Sequence, residues 1–275
     1  MLILPAPAKL NHFLHITGQR EDGYHELQSV IQFVDYADEL TFVPNGDIQF
    51  ESNYQEVDAE DNLVTKAARL LQQYTQTTKG AIITLQKNLP VGAGMGGGSS
   101  DAATTLCGLN ELWETQLDTD TLAELGVKLG ADVPLFIRGH AAWMEGIGEL
   151  LTPIDLPELW YLIAIPNCTV STHDLYQDQQ LTRDCQPLKI DDYHFGDGEN
   201  VFTVPVCRRY PEVQAAIDWL NKNQAARMTG SGSVVFAGFD TQAEAGRIAA
   251  LAPEGIRCVV TKGLNLSPLW KTLIR

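Results

Sequence analysis

Residues 90–100 read PVGAGMGGGSS, with five glycines in eleven positions, and Asp101 and a run of small residues follow directly. Glycine at that density costs backbone entropy, so it marks a place where the chain turns through positive φ or comes close to something. The next segment, SSDAATTLCGLNELW, has the pattern of a helix whose first two turns carry small side chains. The loop therefore ends on a helix N-terminus, where N–H groups lack partners and the dipole is positive. A glycine loop that feeds such a terminus is an anion site, and phosphate is its usual guest. Ser99 and Ser100 stand where hydroxyls cap the helix or hold a phosphate or its Mg2+.

Three familiar phosphate-binding patterns do not fit. A Walker A loop needs GxxxxGK[ST]. Gly92 and Gly97 have that interval, but Gly98 stands where lysine is required. Gly92, Gly94 and Gly97 spell GxGxxG. A dinucleotide fold wants that motif after its first strand with an acid ending the next strand, whereas here the candidate acids, Glu111 and Glu114, lie on the helix itself. The HRD and DFG signatures of protein kinases do not occur.

The chain of 275 residues allows one large domain or two ordinary ones. Its formal net charge of −16, with 19 Lys+Arg, argues against non-specific nucleic-acid binding. An anionic ligand must then be met by a few placed cations and by backbone N–H groups. Cys107, Cys168, Cys185, Cys207 and Cys258 form no CxxC pair and read as reduced thiols of a cytoplasmic protein. MLILPAPAKLN has no basic start followed by a long apolar core, so no signal peptide is expected. No apolar run approaches the ~18 residues of a membrane span.

The element pattern is strand-rich, then mixed. Residues 2–4 predict a short strand stopped by Pro5 and Pro7, and 10–17 a second; 18–29 reads as a loop, and 30–34, 39–44 and 47–52 as strands. Asn62 caps a helix with Leu63, Ala67, Leu70, Leu71 and Tyr74 on one face. Residues 81–90 are strand-like. A helix begins at Asp118 or Asp120, DVPLFI enters a strand, and 139–154 form a hairpin. In the second half, 160–166 is a buried strand, STHDLYQD a short helix, 183–200 an acidic, turn-rich stretch and YPEVQAAIDWLNKN an amphipathic helix. ARMTGSGSVVFAGF reads as strand–loop–strand, followed by a helix up to Gly255 and a closing strand. Helices separated by single strands predict an α+β fold rather than a doubly wound sheet, divided into domains 1–157 and 158–275.

PVGAGMGGGSSDAA resembles the phosphate loop of the GHMP kinases, the superfamily of galactokinase, homoserine kinase, mevalonate kinase and phosphomevalonate kinase. APAKLNHFLHITGQREDGYHEL resembles the N-terminal motif of one branch, TGSGSVVFA its C-terminal glycine motif, and KGLNLSPL its tail. The resemblance implies an N-terminal ribosomal-S5-like domain and a C-terminal ferredoxin-like domain with the active site in the cleft between them. It also implies ATP-dependent phosphorylation of the 2-hydroxyl of 4-diphosphocytidyl-2-C-methyl-D-erythritol, in the non-mevalonate route to isoprenoid precursors. The partner is then a small molecule bearing cytidine diphosphate, with no nucleic acid or membrane, and the protein is a monomer or homodimer.

By the same resemblance, Asp132 is the catalytic carboxylate and Lys9 its partner. Pro90, Val91, Gly92, Ala93, Gly94, Met95, Gly96, Gly97, Gly98, Ser99 and Ser100 bind ATP, with Met95 packing beneath the glycines. Asn11, Tyr24, His25, Lys87 and Tyr176 bind the acceptor: Tyr24 and Tyr176 sandwich the base, His25 reads its edge, and Lys87 meets the diphosphate. Gly230 and Gly232 let a second turn approach the site. Mg2+ is expected on general grounds, with Ser99 the one protein ligand to suggest itself. Without the resemblance, Lys9 reads as a solvated lysine, Asp132 as a turn or cap residue, Lys87 as a strand-end lysine and Tyr176 as a packing residue. The remaining histidines carry no motif. The rival readings are a homoserine- or mevalonate-type kinase and a non-catalytic nucleotide-binding module.

Overall fold

The computed structural model describes residues 1–54 and 56–273. The first half is built on a long hairpin, β1 (Leu2–Gln19) and β2 (His25–Asn45). Pro5 and Pro7 do not stop β1, contrary to the sequence expectation. The N–H groups of Lys9 and Asn11 point away from β2, to Met95 O and Thr229 Oγ1. Pro5 and Pro7 share their parity on the strand, so a missing N–H there removes no ladder bond. The expected loop 18–29 is likewise mostly strand: only residues 20–24 turn, closed by Arg20 N–H donating to Tyr24 O at 2.7 Å.

The far edge of β2 is shared by three partners. β3 (Gln49–Ser52) lies beside β4 (Gly80–Gln86), and β4 pairs with residues 39–45 of β2. α1 (Leu63–Thr75) begins at Asn62, whose side chain accepts from Val64 N–H at 2.9 Å, as its cap role predicts. α2 (Gly97–Trp113), α3 (Thr119–Val127) and α4 (Val133–Arg138) follow, and β5 (Ala142–Glu145) pairs with residues 29–31 of β2 and with β6 (Leu150–Pro153). DVPLFI is thus helix α4 and not a strand. Pro134 sits in its first turn, where no N–H is needed, and Gly139 closes it at φ 71° by donating to Leu135 O. The β-branched look of the segment reflects burial of Val133 to Ile137 in the first core.

The second half adds β7 (Trp160–Pro166), α5 (Thr172–Tyr176), α6 (Thr203–Arg209) and α7 (Pro211–Leu220). After these come β8 (Arg227–Met228), β9 (Val235–Phe239), α8 (Gln242–Ala249), β10 (Ile256–Leu264) and α9 (Pro268–Leu273). Its strands run β10-β7-β9-β8, all antiparallel, and Gly263 and Leu264 at the end of β10 pair with Val34 and Phe33 of β2. The helices α6 and α9 escape the sequence reading, each being short and opening around a proline.

A cut between residues 157 and 158 falls in the link from β6 to β7, yet both chain ends cross it. Leu14 and Ile16 of β1 belong to the second core, and Leu269 of α9 to the first. Trp270 Nε1 donates to Ile137 O at 2.7 Å, tying α9 to α4. A third cluster joins the halves, with Ala8, Leu10, Leu89 and Met95 against Tyr161, Ile163, Val234 and Phe236.

Leu269 is fully buried. Leu269→Ala should therefore cost about 2–5 kcal/mol in urea unfolding. A loss within experimental error would mean that α9 does not dock on the first core.

Candidate functional site

The glycine loop lies between the halves, and its conformation is held from below and from the side. Lys9 N–H donates to Met95 O at 3.1 Å, and Met95 is buried in the joining cluster, as its packing role predicts. From the side comes the turn 229–233. Gly94 (φ 80°) has no room for a side chain, since a Cβ would fall 2.2 Å from Thr229 O. Gly230 (φ 55°) meets the same limit in reverse, with Gly94 O at 2.7 Å. Thr229 Oγ1 also donates to Gly94 O at 3.2 Å, and Val234 N–H to Ala93 O at 3.3 Å. Two glycine turns from distant parts of the chain thus press backbone on backbone.

Gly96 is the N-cap of α2, with no side-chain cap bond, and the first helical bond runs from Ser100 N–H to Gly96 O at 2.9 Å. The N–H groups of residues 97–99 therefore have no partner within the helix and face outward. They open onto a cavity of about 490 Å³ lined by residues 90–99 and by Tyr54, Val57, Leu63 and Leu85. It has an apolar end fit for a base and a glycine end fit for phosphates. A second cavity, about 280 Å³, is lined by Lys9, Asn11, Asp132, Met144, Tyr176 and Phe202 among others. Gly94, Gly96, Thr172 and Ser231 line both.

Lys9 is almost wholly buried, not solvated. Its Nζ donates to Asn11 Oδ1 and lies 3.6 Å from Asp132 Oδ2. Asn11 is itself fixed, its N–H donating to Thr229 Oγ1 at 2.9 Å and its Nδ2 to Ser29 Oγ at 2.9 Å. Asp132 occupies the N-cap of α4 but makes no capping bond, so its carboxylate faces the cavity and Lys9 rather than its own helix. An ammonium beside a carboxylate, at the point where two cavities meet, can orient a hydroxyl, take its proton and offset charge on a reacting oxygen.

Lys87 lines the first cavity and does not reach the second. Its Nζ donates to Asp38 Oδ2 at 2.6 Å and to Asp101 Oδ2 at 2.7 Å. Asp38 also accepts from the N–H groups of Asn88 (2.5 Å) and Leu89 (2.8 Å), which sets the entry into the glycine loop. Burial pulls the Lys87 ammonium down, but Asp101 and Asp38 together hold it above its usual value. One ammonium does not satisfy two buried carboxylates. Burial pushes the Asp101 carboxyl up to about 7, with the Asp38 charge adding to it and Lys87 opposing. Asp101 Oδ1 and Ser100 Oγ are buried without a partner.

The rings of two of the expected base-reading residues are in contact. His25 stacks on Tyr176, with centroids 4.9 Å apart and planes at 25°, while Tyr24 is 61% exposed at the end of the turn. His25 is the first residue of β2, and neighbouring residues of an extended chain point to opposite sides. Tyr176 also packs edge-on against Phe202, and burial pushes its phenol up to about 12, with Asp132 contributing. Sequence reasoning missed Thr172, Ser231, Asp38 and the apolar Val57 and Leu63. Ser231 lies within TGSGSVVFA, where only the glycines drew attention, and the others come from segments with no motif and acquire their place only by folding.

Comparison with known proteins agrees with this geometry. Family models described as the GHMP kinases N terminal domain and the GHMP kinases C terminal match residues 62–140 and 194–254. A 4-diphosphocytidyl-2-C-methyl-D-erythritol kinase of Pseudomonas syringae pv. syringae (strain B728a) is 51% identical over 274 residues, 99% of this chain and 97% of its own. The chain belongs to the GHMP kinases. A protein of the same description from Nitrosococcus oceani is 52% identical over 271 residues, covering 98% of this GHMP kinase and 97% of its own length. The crystal structure of a 4-(cytidine 5'-diphospho)-2C-methyl-D-erythritol kinase superposes with a TM-score of 0.84 at 31% identity, covering 95% of this chain and 99% of that one. The fold is the two-domain α+β GHMP kinase fold, with its site in the cleft between the halves.

Two outcomes test the site. Gly94→Ala should weaken ATP binding in calorimetric titration by about tenfold or more, roughly 1.4 kcal/mol. Wild-type affinity together with a wild-type melting temperature would refute the interlocked turns. For Asp101, a folded-state pKa of about 7 against 3.8 unfolded means that the folded state binds the proton more tightly, so stability falls through this window as pH rises. The melting temperature of Asp101→Asn minus that of the wild type should therefore become more positive between about pH 4 and about pH 7 and level off above. A difference that stays flat would show Asp101 ionised throughout.

Proposed function

We propose that the chain transfers the γ-phosphoryl group of ATP to the 2-hydroxyl of 4-diphosphocytidyl-2-C-methyl-D-erythritol, a step in making isoprenoid precursors. The observation that carries this reading is the pair of cavities sharing Gly94 and Gly96, with Lys9 and Asp132 on the acceptor side. Full-length identity of about half with kinases of that substrate supports it over a homoserine- or mevalonate-type activity.

ATP lies with its base near Val57, Leu63 and Leu85 and its phosphates against the N–H groups of residues 94–99. The acceptor lies in the second cavity, its cytidine end toward His25, Tyr176 and the exposed Tyr24. Its hydroxyl sits between Lys9 and Asp132. The hydroxyl oxygen forms the new bond to the γ-phosphorus, the bond from that phosphorus to the bridging oxygen breaks, and ADP leaves. Asp132 orients the hydroxyl or takes its proton, and the Lys9 ammonium offsets charge on the reacting oxygens. Asn11 holds Lys9 in place, and Gly230 and Gly232 let the second turn close over the phosphates. Lys87 acts from beneath the cradle rather than on the acceptor's diphosphate.

A magnesium ion, when bound with ATP, supplies charge neutralisation between phosphate oxygens. Among the described residues there is no group of three or more His, Cys, Asp or Glu side chains able to hold a metal. The site fits an ion held mainly by phosphates, with the Ser99 hydroxyl as a protein contact and the unpartnered Ser100 Oγ and Asp101 Oδ1 nearby. No helix among the described residues is long and apolar enough to cross a membrane. Action in the cytoplasm fits the five free thiols.

A panel of acceptors with radiolabelled ATP tests the assignment. Label should pass to the cytidyl compound and not to homoserine or mevalonate. The opposite pattern refutes it, and ATP that raises the melting temperature yet is never consumed with any acceptor leaves only a binding module. Asp132→Asn should lower kcat by about 10²–10⁴ with ATP affinity unchanged. Tyr176→Ala should mainly raise the acceptor KM, the mark of lost uniform binding. Near-normal turnover by the first variant, or an unaltered KM in the second, removes that residue from its role.

A further inference from the structure

Arg183 opens the acidic stretch that looks least ordered in sequence, yet its guanidinium makes four hydrogen bonds. Nη2 donates to Tyr176 O at 2.6 Å and to Asp178 O at 3.0 Å, and Nη1 to Leu181 O at 3.0 Å. Nε donates to His25 Nε2 at 3.3 Å. The loop that carries these carbonyls is itself pinned, because the buried Asp178 Oδ2 accepts from Arg208 at 2.5 Å and Arg209 at 2.7 Å. Arg183 therefore grips both members of the stacked pair, Tyr176 through its backbone and His25 through its ring.

The contact with His25 has a chemical consequence. A guanidinium only donates, so the nitrogen facing it must be bare. A neutral imidazole carries one proton, which then resides on Nδ1. Burial first, and the Arg183 charge second, hold the His25 pKa below its ordinary value, so the ring is neutral at neutral pH. Nδ1 has no hydrogen-bond partner among the described residues. The Nδ1–H is thus left as an unpartnered donor.

We infer that Arg183 is a positioning residue that fixes His25 as the Nδ1–H tautomer, so that the acceptor site is matched to an acceptor atom on the base edge. Cytosine offers two such atoms, the unprotonated N3 and O2. Uracil carries a proton on N3 and presents a donor there, which faces the His25 donor. Arg183 thereby contributes to choosing a cytidine over a uridine diphosphate handle without touching the base. This inference rests on the acceptor reading given above.

Long-range ¹⁵N–¹H correlation spectra of the unliganded full chain report the tautomer directly. The wild type should show His25 as Nδ1–H. An Nε2–H wild type overturns the role of Arg183 whatever any variant does. In Arg183→Met the signal should move to Nε2–H or to a mixture of tautomers. The acceptor KM should rise about tenfold with kcat within about twofold and ATP affinity unchanged, and preference for the cytidyl over the uridyl acceptor should fall. Arg183→Lys, which keeps a donor, should recover part of the preference. A wild-type tautomer and an unchanged preference in Arg183→Met overturn the inference. Failure of the wild type to phosphorylate the cytidyl compound is a different result: it overturns the acceptor reading, while an Nδ1–H signal would still stand.

Discussion

The contact between Gly94 and the Thr229–Gly230 turn is where the two halves of the molecule become one site. Each backbone occupies the space in which the other's Cβ would lie, so neither position has room for a side chain while the turns are in contact. Their contact marks the boundary between the two cavities, because Gly94 lines both. The joining cluster beneath, with Met95 against strands β7 and β9, makes the arrangement stiff. Phosphoryl transfer asks the protein mainly for position and charge, and a rigid boundary between donor and acceptor supplies the first.

The outer edge of β1 carries the other half of that positioning. With no strand beside it, it is available to loops from across the chain: Lys9 N–H takes Met95 O, Asn11 N–H takes Thr229 Oγ1, and Leu14 N–H takes Glu199 O. An exposed edge is ordinarily a hazard for aggregation, and here the site loops cover it. Lys9 and Asn11 thus reach the active centre from a strand rather than from a flexible loop, with both the backbone and the side chains held.

Charge is the second requirement, and an acidic chain meets it sparingly. With a net charge of −16, the protein spends few cations at the cleft. Lys9 faces the acceptor cavity, while Lys87 is committed to Asp38 and Asp101 beneath the cradle. Much of the attraction for a polyphosphate must come from N–H groups at the start of α2, which are oriented before the ligand arrives. The excess carboxylate of the Lys87 triad, with a pKa near neutrality, makes the floor of that cradle sensitive to protons.

Residues 90–100 read as a phosphate site before any coordinates, because glycine density before a small-residue helix has few other physical uses, and they do line a cavity. The cap at Asn62 and the strand at 160–166 were equally plain, being local signals. The α4 helix was not, because VPLFI looks like a strand until one sees it buried inside the first core with Pro134 in its opening turn. Nor could spacing reveal that Lys87 pairs with Asp38 and Asp101, that His25 rather than Tyr24 covers Tyr176, or that Arg183 reaches both. Covalent order and side-chain chemistry therefore determined the glycine loop with its helix start and the α+β character, since these depend on neighbours along the chain. Only the tertiary structure decided which charges are free and which are neutralised, and which ring faces which. Those properties depend on burial and on contacts between residues far apart in sequence, which no local pattern encodes.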